Sequence, residues 1–161
     1  MTIQVGDKIP AVNFMTFTAD GPAPISSEDL TAGKTVALFA VPGAFTPTCS
    51  ARHLPGFKDH EAEFKAKGVD TIACVSVNDV FVRNAWGKGQ DVGDSIVMLA
   101  DGNVDVAKAV GLDFDAGKFG MGRRSQRYSM LIKDGVVTEL NVEQPGAFEV
   151  SSAEHLLQQL G

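Results

Sequence analysis

The 161-residue chain predicts an α/β architecture, a mixed β-sheet flanked by helices, and three observations carry that expectation. Residues 35–41, Thr-Val-Ala-Leu-Phe-Ala-Val, form a continuous apolar run, the mark of a strand covered on both faces. The early strand-like runs alternate with helix-periodic segments, the order of parallel crossover units. Near the C-terminus, Lys133-Asp134-Gly135 separates two β-rich runs and reads as a hairpin, which adds an antiparallel edge.

In chain order, Gly21-Pro22-Ala23-Pro24 reads as a loop, and Ser26-Ser27-Glu28-Asp29 as the start of a short helix. After the strand at 35–41, residues 49–67 turn helical. Leu54, Phe57, Glu61 and Phe64 recur at spacings of three and four, with Pro55 expected to bend or break the path and Gly68 to stop it. A second apolar strand covers 69–77, a helix 79–86, a short strand 96–100, a turn Asp101-Gly102 and a helix 104–110. The hairpin strands span 128–132 and 136–140. A helix over 151–160 closes the chain, with Ser151-x-x-Glu154 fitting a capping box.

Composition narrows the function. With 44% hydrophobic and 21% charged residues, the chain is neither a disordered tail nor a collagen-like repeat nor a membrane protein. A chain this size is expected to form one domain, 1–161. Its longest apolar stretch, 36–42, is far too short to cross a bilayer, and no leader pattern opens the sequence. A cytosolic location is expected, or an organellar one after removal of a transit peptide. The net charge of −6 argues against nucleic-acid or anionic-membrane partners. Two cysteines, Cys49 and Cys74, make no disulfide framework and suit a reducing compartment. No cluster has metal-ligand spacing. Gly117 to Gly122 lacks both the glycine pattern and the preceding strand of a nucleotide loop.

Cys49 carries the chemical argument. It follows Pro42-Gly43-Ala44-Phe45-Thr46-Pro47-Thr48, a strand exit leading into a helix start. A thiol in the first turn of a helix faces unpaired N–H groups and the positive dipole end, both of which favour thiolate. A buried inert cysteine is the ordinary alternative, but proline, glycine and threonine describe a shaped loop rather than a packed strand. Thr46 either caps the turn or brings its hydroxyl to the sulfur. Threonine also stands where a C-x-x-C motif would open the helix, which removes local dithiol exchange. Full ionisation of a thiol of ordinary pKa, about 8.5, gains only about 30-fold at pH 7, or roughly 2 kcal/mol. Fast chemistry at such a thiol therefore needs donors aimed at the atom on which negative charge develops, each worth about 10²–10³ in rate. The clustered Arg123, Arg124 and Arg127 and the Thr46 hydroxyl are the candidates.

Pro42-x-x-x-Thr46-x-x-Cys49, with arginine at a later strand start, resembles the peroxiredoxin active site. The longer block from Val41 to Ser50, then His53-Leu54-Pro55-Gly56-Phe57, resembles the type II (peroxiredoxin V) subfamily. The likeness continues through residues 73–79, Trp86, Arg127-Tyr128-Ser129-Met130 and Asn141-Val142-Glu143. It implies a thioredoxin-like fold and thiol peroxidase activity toward hydrogen peroxide and organic hydroperoxides. By the same resemblance Cys49 is the peroxidatic cysteine, Thr46 holds sulfur and peroxide, Pro42 covers the sulfur, and Arg127 activates the thiolate and steadies the peroxide oxygens. The Arg-Tyr-Ser-Met match selects Arg127 and leaves Arg123 and Arg124 as solvated loop charges. A homodimer joined near the active-site loops is implied, as is unwinding of the Cys49 segment on oxidation.

Other residues keep plainer readings. Cys74 lies in an apolar run and reads as a buried, inert thiol. His53 reads as an orienting or structural histidine, and His60 and His155 as surface residues. Phe45 and Phe119 read as core or interface. Some subfamily members carry a resolving cysteine before the last helix, and here that position is Ser151. The expected cycle therefore uses an external thiol, glutathione with glutaredoxin first and thioredoxin second, with no bound cofactor. A redox-sensing interaction protein is the rival from another class, and a cysteine hydrolase is a distant third.

Overall fold

The computed structural model describes residues 2–161. Its centre is strand β3 (Thr35–Ala40), whose residues from Val36 onward are at most 1% exposed. Ala37 and Phe39 enter one apolar core, and Val36, Leu38 and Ala40 enter the other. This is why the sequence reads as an unbroken apolar run rather than an alternation. Strands β4 (Thr71–Ser76) and β5 (Val97–Ala100) extend the sheet in parallel from β3. On the other side lie the antiparallel β8 (Tyr128–Lys133) and β9 (Val136–Val142). Asp134 and Gly135, with φ of 48° and 82°, turn the hairpin between them as a two-residue loop of this hand requires.

The far edge departs from expectation. Gly21-Pro22-Ala23-Pro24 is not a loop but the body of edge strand β2 (Gly21–Ser26), paired antiparallel with β1 (Asn13–Thr18). Proline lacks a donor, yet an outermost strand needs partners on one side only, and β2 lies at the end of the order β2-β1-β5-β4-β3-β8-β9.

Helices cover both faces. Ser26 caps α1 (Ser27–Thr31), and Asp79 caps α4 (Val80–Gly89) by accepting from the Val82 amide at 2.9 Å. The stretch after β3 divides into a π-helical turn (Cys49–His53), α2 (Leu54–Asp59) and α3 (Glu61–Ala66). Pro55 sits in the first turn of α2 and cannot donate. The ladder widens just before it, with the Leu54 amide reaching five residues back to the Cys49 carbonyl. Phe57 stacks between Phe39 at 4.1 Å and Phe64 at 5.4 Å, tying α2 and α3 to the sheet. Helix α5 (Asp105–Val110) leads to a small hairpin of β6 (Asp113–Asp115) and β7 (Arg123–Ser125). The last helix, α6 (Ala153–Gln159), is capped by Ser152, whose hydroxyl accepts from the His155 amide at 3.2 Å. Ser151 is therefore not the cap. It is buried and held by Glu143 instead.

Candidate active site

Strand direction assembles the site. Parallel β3 and β4 both end at the same edge of the sheet, where the loops after them supply Pro42 to Cys49 and Asn78. Strand β8 runs antiparallel to β3 with Tyr128 opposite Ala40, which brings the preceding residue, Arg127, beside the loop that leaves β3. The end of β9 lies next to it, since Val142 pairs with Tyr128, and the Glu143 amide donates to the Arg127 carbonyl at 3.0 Å.

Arg127 Nη2 donates to Cys49 Sγ at 3.0 Å, so residues 78 positions apart meet around one sulfur. Cys49 is fully buried at the head of the π-helical turn. Next to it, the Ser50 hydroxyl accepts from Trp86 Nε1 at 3.0 Å. The hydroxyl of Thr46 donates to the Gly43 carbonyl at 2.7 Å rather than to the sulfur, and the Thr46 carbonyl accepts from the Ser50 amide. Phe45 sits in the left-handed region at φ 66°. Its turn is held by the Thr46–Gly43 bond and by Asn78, whose Oδ1 accepts from the Ala44 amide at 2.9 Å.

Arg124 is not a solvated loop charge. Its guanidinium donates to the carbonyls of Met121 and Val77 at 2.9 Å and of Pro42 at 3.4 Å, tying three chain segments at the strand ends. A planar fork of donors suits several converging carbonyls, which a lysine could not span. Gly43 lies against it, and a Cβ there would meet Arg124 Nη1 at 3.2 Å and Thr46 Cγ2 at 3.3 Å. Arg123 stays at the surface, in strand β7, paired with Asp113 at 2.9 Å.

His53 has both ring nitrogens engaged, Nε2 with the Ser151 carbonyl and Nδ1 with Arg127 Nη1, each at 2.9 Å. Burial, followed by the adjacent Arg127 charge, pushes its pKa down to about 3, against a smaller opposing pull from the Ser151 carbonyl. Neither nitrogen bonds Cys49, so the cysteine–histidine dyad of a hydrolase is not formed. The ring of Phe148 covers this corner, 5.0 Å from His53 and 5.9 Å from the Arg127 guanidinium. Glu143 accepts from the amides of Glu149 and Ser151 at 2.7 Å and from the Ser151 hydroxyl at 2.6 Å. Burial raises its carboxyl, but these donors outweigh that and hold it below the usual carboxylate range.

Cys74 lies mid-strand in β4, flanked by Phe39 on β3 and Met98 on β5, and burial pushes its thiol up despite the nearby Arg83. Arg83 is itself fully buried. It donates to the carbonyls of Cys74 at 2.6 Å and Leu99 at 2.8 Å and lies 5.2 Å over the Trp86 ring. Phe45 and Phe119 are 60% and 67% exposed, so neither is core. His60 is half-buried between Glu63 and Glu154 rather than free at the surface. Among the described residues no group of three His, Cys, Asp or Glu side chains is placed to hold a metal ion.

The profile of the redoxin family matches residues 4–157. Peroxiredoxin-2E-2, chloroplastic, of Oryza sativa subsp. japonica is 51% identical over 164 residues, spanning 99% of this chain and 73% of that one. The chain belongs to the peroxiredoxins. Reduced Prx3 from Vibrio vulnificus, solved in complex with H2O2, superposes on this peroxiredoxin with a TM-score of 0.96 at 52% identity, over 99% of this chain and 100% of that one. Peroxiredoxin 5 from Alvinella pompejana does so with a TM-score of 0.86 at 35% identity, over 98% and 97%. The seven-stranded mixed sheet is thus a thioredoxin-like fold, the subfamily is type II (peroxiredoxin V), and the activity is that of a peroxidase. Among the described residues of this peroxiredoxin, no helix is long and apolar enough to cross a membrane.

Proposed function

We propose that Cys49 is the peroxidatic cysteine of a one-cysteine enzyme that reduces hydrogen peroxide and organic hydroperoxides and is recycled by an external thiol. The observation that carries this reading is the Arg127 guanidinium on a fully buried Cys49 sulfur at 3.0 Å. The Cys49 thiolate attacks one peroxide oxygen and the O–O bond breaks. Sulfur keeps one oxygen as sulfenic acid, and the departing oxygen leaves as water or an alcohol after taking a proton. Arg127 has a donor to offer each charged atom along that path, the sulfur first and the peroxide oxygens as charge moves onto them. The Thr46 proton is committed to Gly43, so its oxygen is free to accept from a peroxide O–H. Pro42 is anchored through its carbonyl to Arg124 at the exit of β3, and covering the sulfur is the role the family resemblance gives it.

A thiol then attacks the sulfenic sulfur, releasing water and leaving a mixed disulfide, and a second thiol frees Cys49. Glutathione with glutaredoxin is the first choice for both, and thioredoxin the second, with no bound cofactor. Two placements support an external donor. Cys74 is locked between two strand ladders, and by the subfamily resemblance the buried Ser151 stands where some members carry a resolving cysteine. The exposed rings of Phe45 and Phe119 support a homodimer through the active-site loops, testable by sedimentation. One sheet takes its strands from Asn13 through Val142, which supports one domain over 1–161, and the action proposed is cytosolic.

A coupled assay comparing glutaredoxin plus glutathione with thioredoxin tests the proposal. Steady turnover with the first is expected. Stalling after one equivalent of peroxide with every thiol supplied would favour a sensor instead. A stable Cys49–Cys74 disulfide in intact-mass spectra after peroxide would overturn the one-cysteine cycle.

A further inference from the structure

The peroxidase chemistry uses Cys49 and Arg127 and leaves the buried His53 without a task. Its two neighbours define its state. A carbonyl oxygen only accepts, so Nε2, 2.9 Å from the Ser151 carbonyl, carries the ring proton. A guanidinium only donates, so Nδ1, 2.9 Å from Arg127 Nη1, presents a bare lone pair. We propose that His53 is the positioning residue for the reaction at Cys49. Its Nδ1 anchors one prong of the Arg127 fork so that the other prong, Nη2, stays on the sulfur at 3.0 Å.

The neutrality of this anchor matters. A carboxylate in the same place would also hold the guanidinium, but it would cancel much of the positive charge meant for the thiolate and the departing oxygen. A neutral imidazole fixes direction and leaves the charge whole. Its tautomer is set from outside the active-site loop. The Ser151 backbone is held by the Glu143 carboxylate through the Ser151 amide and hydroxyl, and the Ser151 carbonyl is thereby aimed at Nε2. Phe148, from the same C-terminal segment, and Phe39, from β3, pack on the imidazole at 5.0 and 4.9 Å and keep its plane fixed. The segment 143–151 is therefore linked to the reacting sulfur through two side chains, His53 and Arg127.

The test is a single turnover. The reduced protein is mixed with hydrogen peroxide in the absence of any thiol. The reaction is followed by the fluorescence of Trp86, the one tryptophan, whose indole bonds Ser50 beside Cys49. His53→Leu removes the acceptor, whereas His53→Asn keeps a neutral oxygen facing Arg127. The leucine variant is expected to react about 10- to 100-fold more slowly, as for loss of a hydrogen bond to a charged group. The asparagine variant is expected to regain most of that loss. An unchanged rate in the leucine variant, or equal losses in both, overturns the proposal. Ring nitrogen NMR of the wild-type protein gives a readout that needs no variant to fold. A protonated Nε2 with a bare Nδ1 at about pH 7 is expected, and the opposite tautomer or an imidazolium refutes the anchor. The inference rests on Cys49 being the peroxide-reactive thiol. Failure of that reading would show as a wild-type protein that does not react at all, which is distinct from a leucine variant that reacts normally.

Discussion

Acid should destabilise this protein through His53 in a defined window. In the folded state the ring stays neutral down to about pH 3, while the unfolded chain takes up the same proton near the ordinary histidine value of 6.5. Between those values the unfolded state binds one more proton, so stability is present above 6.5 and is lost as pH falls toward 3. From pH 7 to pH 5 this single group costs about 2 kcal/mol, at about 1.36 kcal/mol per unit below 6.5. With a urea slope of about 2 kcal/mol/M, the unfolding midpoint moves down by about 1 M. The assay is urea unfolding at both pH values for the wild type and for His53→Asn, which has no titrating ring. Glu143, Glu154, Asp101 and His60, whose own pKa values are shifted, are common to both proteins and drop out of the difference. The wild type should lose about 2 kcal/mol more than the variant. Equal losses would mean that His53 charges in the folded state, and the reasoning about its burial would fall.

Cys49→Ser should abolish peroxidase turnover, while Cys74→Ser should keep most of it, because the Cys74 thiol is enclosed by strands and takes no part in the site; steady-state peroxide consumption decides. Gly43→Ala should cost roughly 1–3 kcal/mol by urea unfolding and slow the peroxide reaction, since its Cβ would press on Arg124 and Thr46 at 3.2 and 3.3 Å. Glu143→Ala strips the amides of Glu149 and Ser151 of their acceptor and should lower stability by about 2–3 kcal/mol. It should also slow peroxide reduction without changing Cys49 itself, as single-turnover fluorescence would show.

Much of the fold was legible because one periodicity had one cause. The run at 35–41 is unbroken because β3 is covered twice, and the Asp134-Gly135 turn is written in residues that tolerate positive φ. Pro22 and Pro24 misled because a local rule against proline in strands says nothing about sheet edges, and an edge is assigned only by the neighbours a strand acquires. Ser151 misled for a similar reason. Its spacing to Glu154 suits a cap, but the buried Glu143 carboxylate, distant in the pattern, offered the stronger partner. Arg124 and Arg127 look alike in sequence, yet one bonds three carbonyls and the other a sulfur.

The sequence by itself determined the chemistry available: a thiol at a strand-to-helix junction, a hydroxyl three residues before it, and an arginine at a later strand start. These are properties of residue type and short spacing, and short spacings survive folding nearly unchanged. Only the tertiary structure decided which donors converge on the sulfur and in what state. The antiparallel placement of β8 beside β3 brings Arg127 to Cys49, and burial between Phe39, Phe148 and Ser151 keeps His53 neutral. Both outcomes depend on strand direction and on the exclusion of water, which exist only once distant segments have packed together.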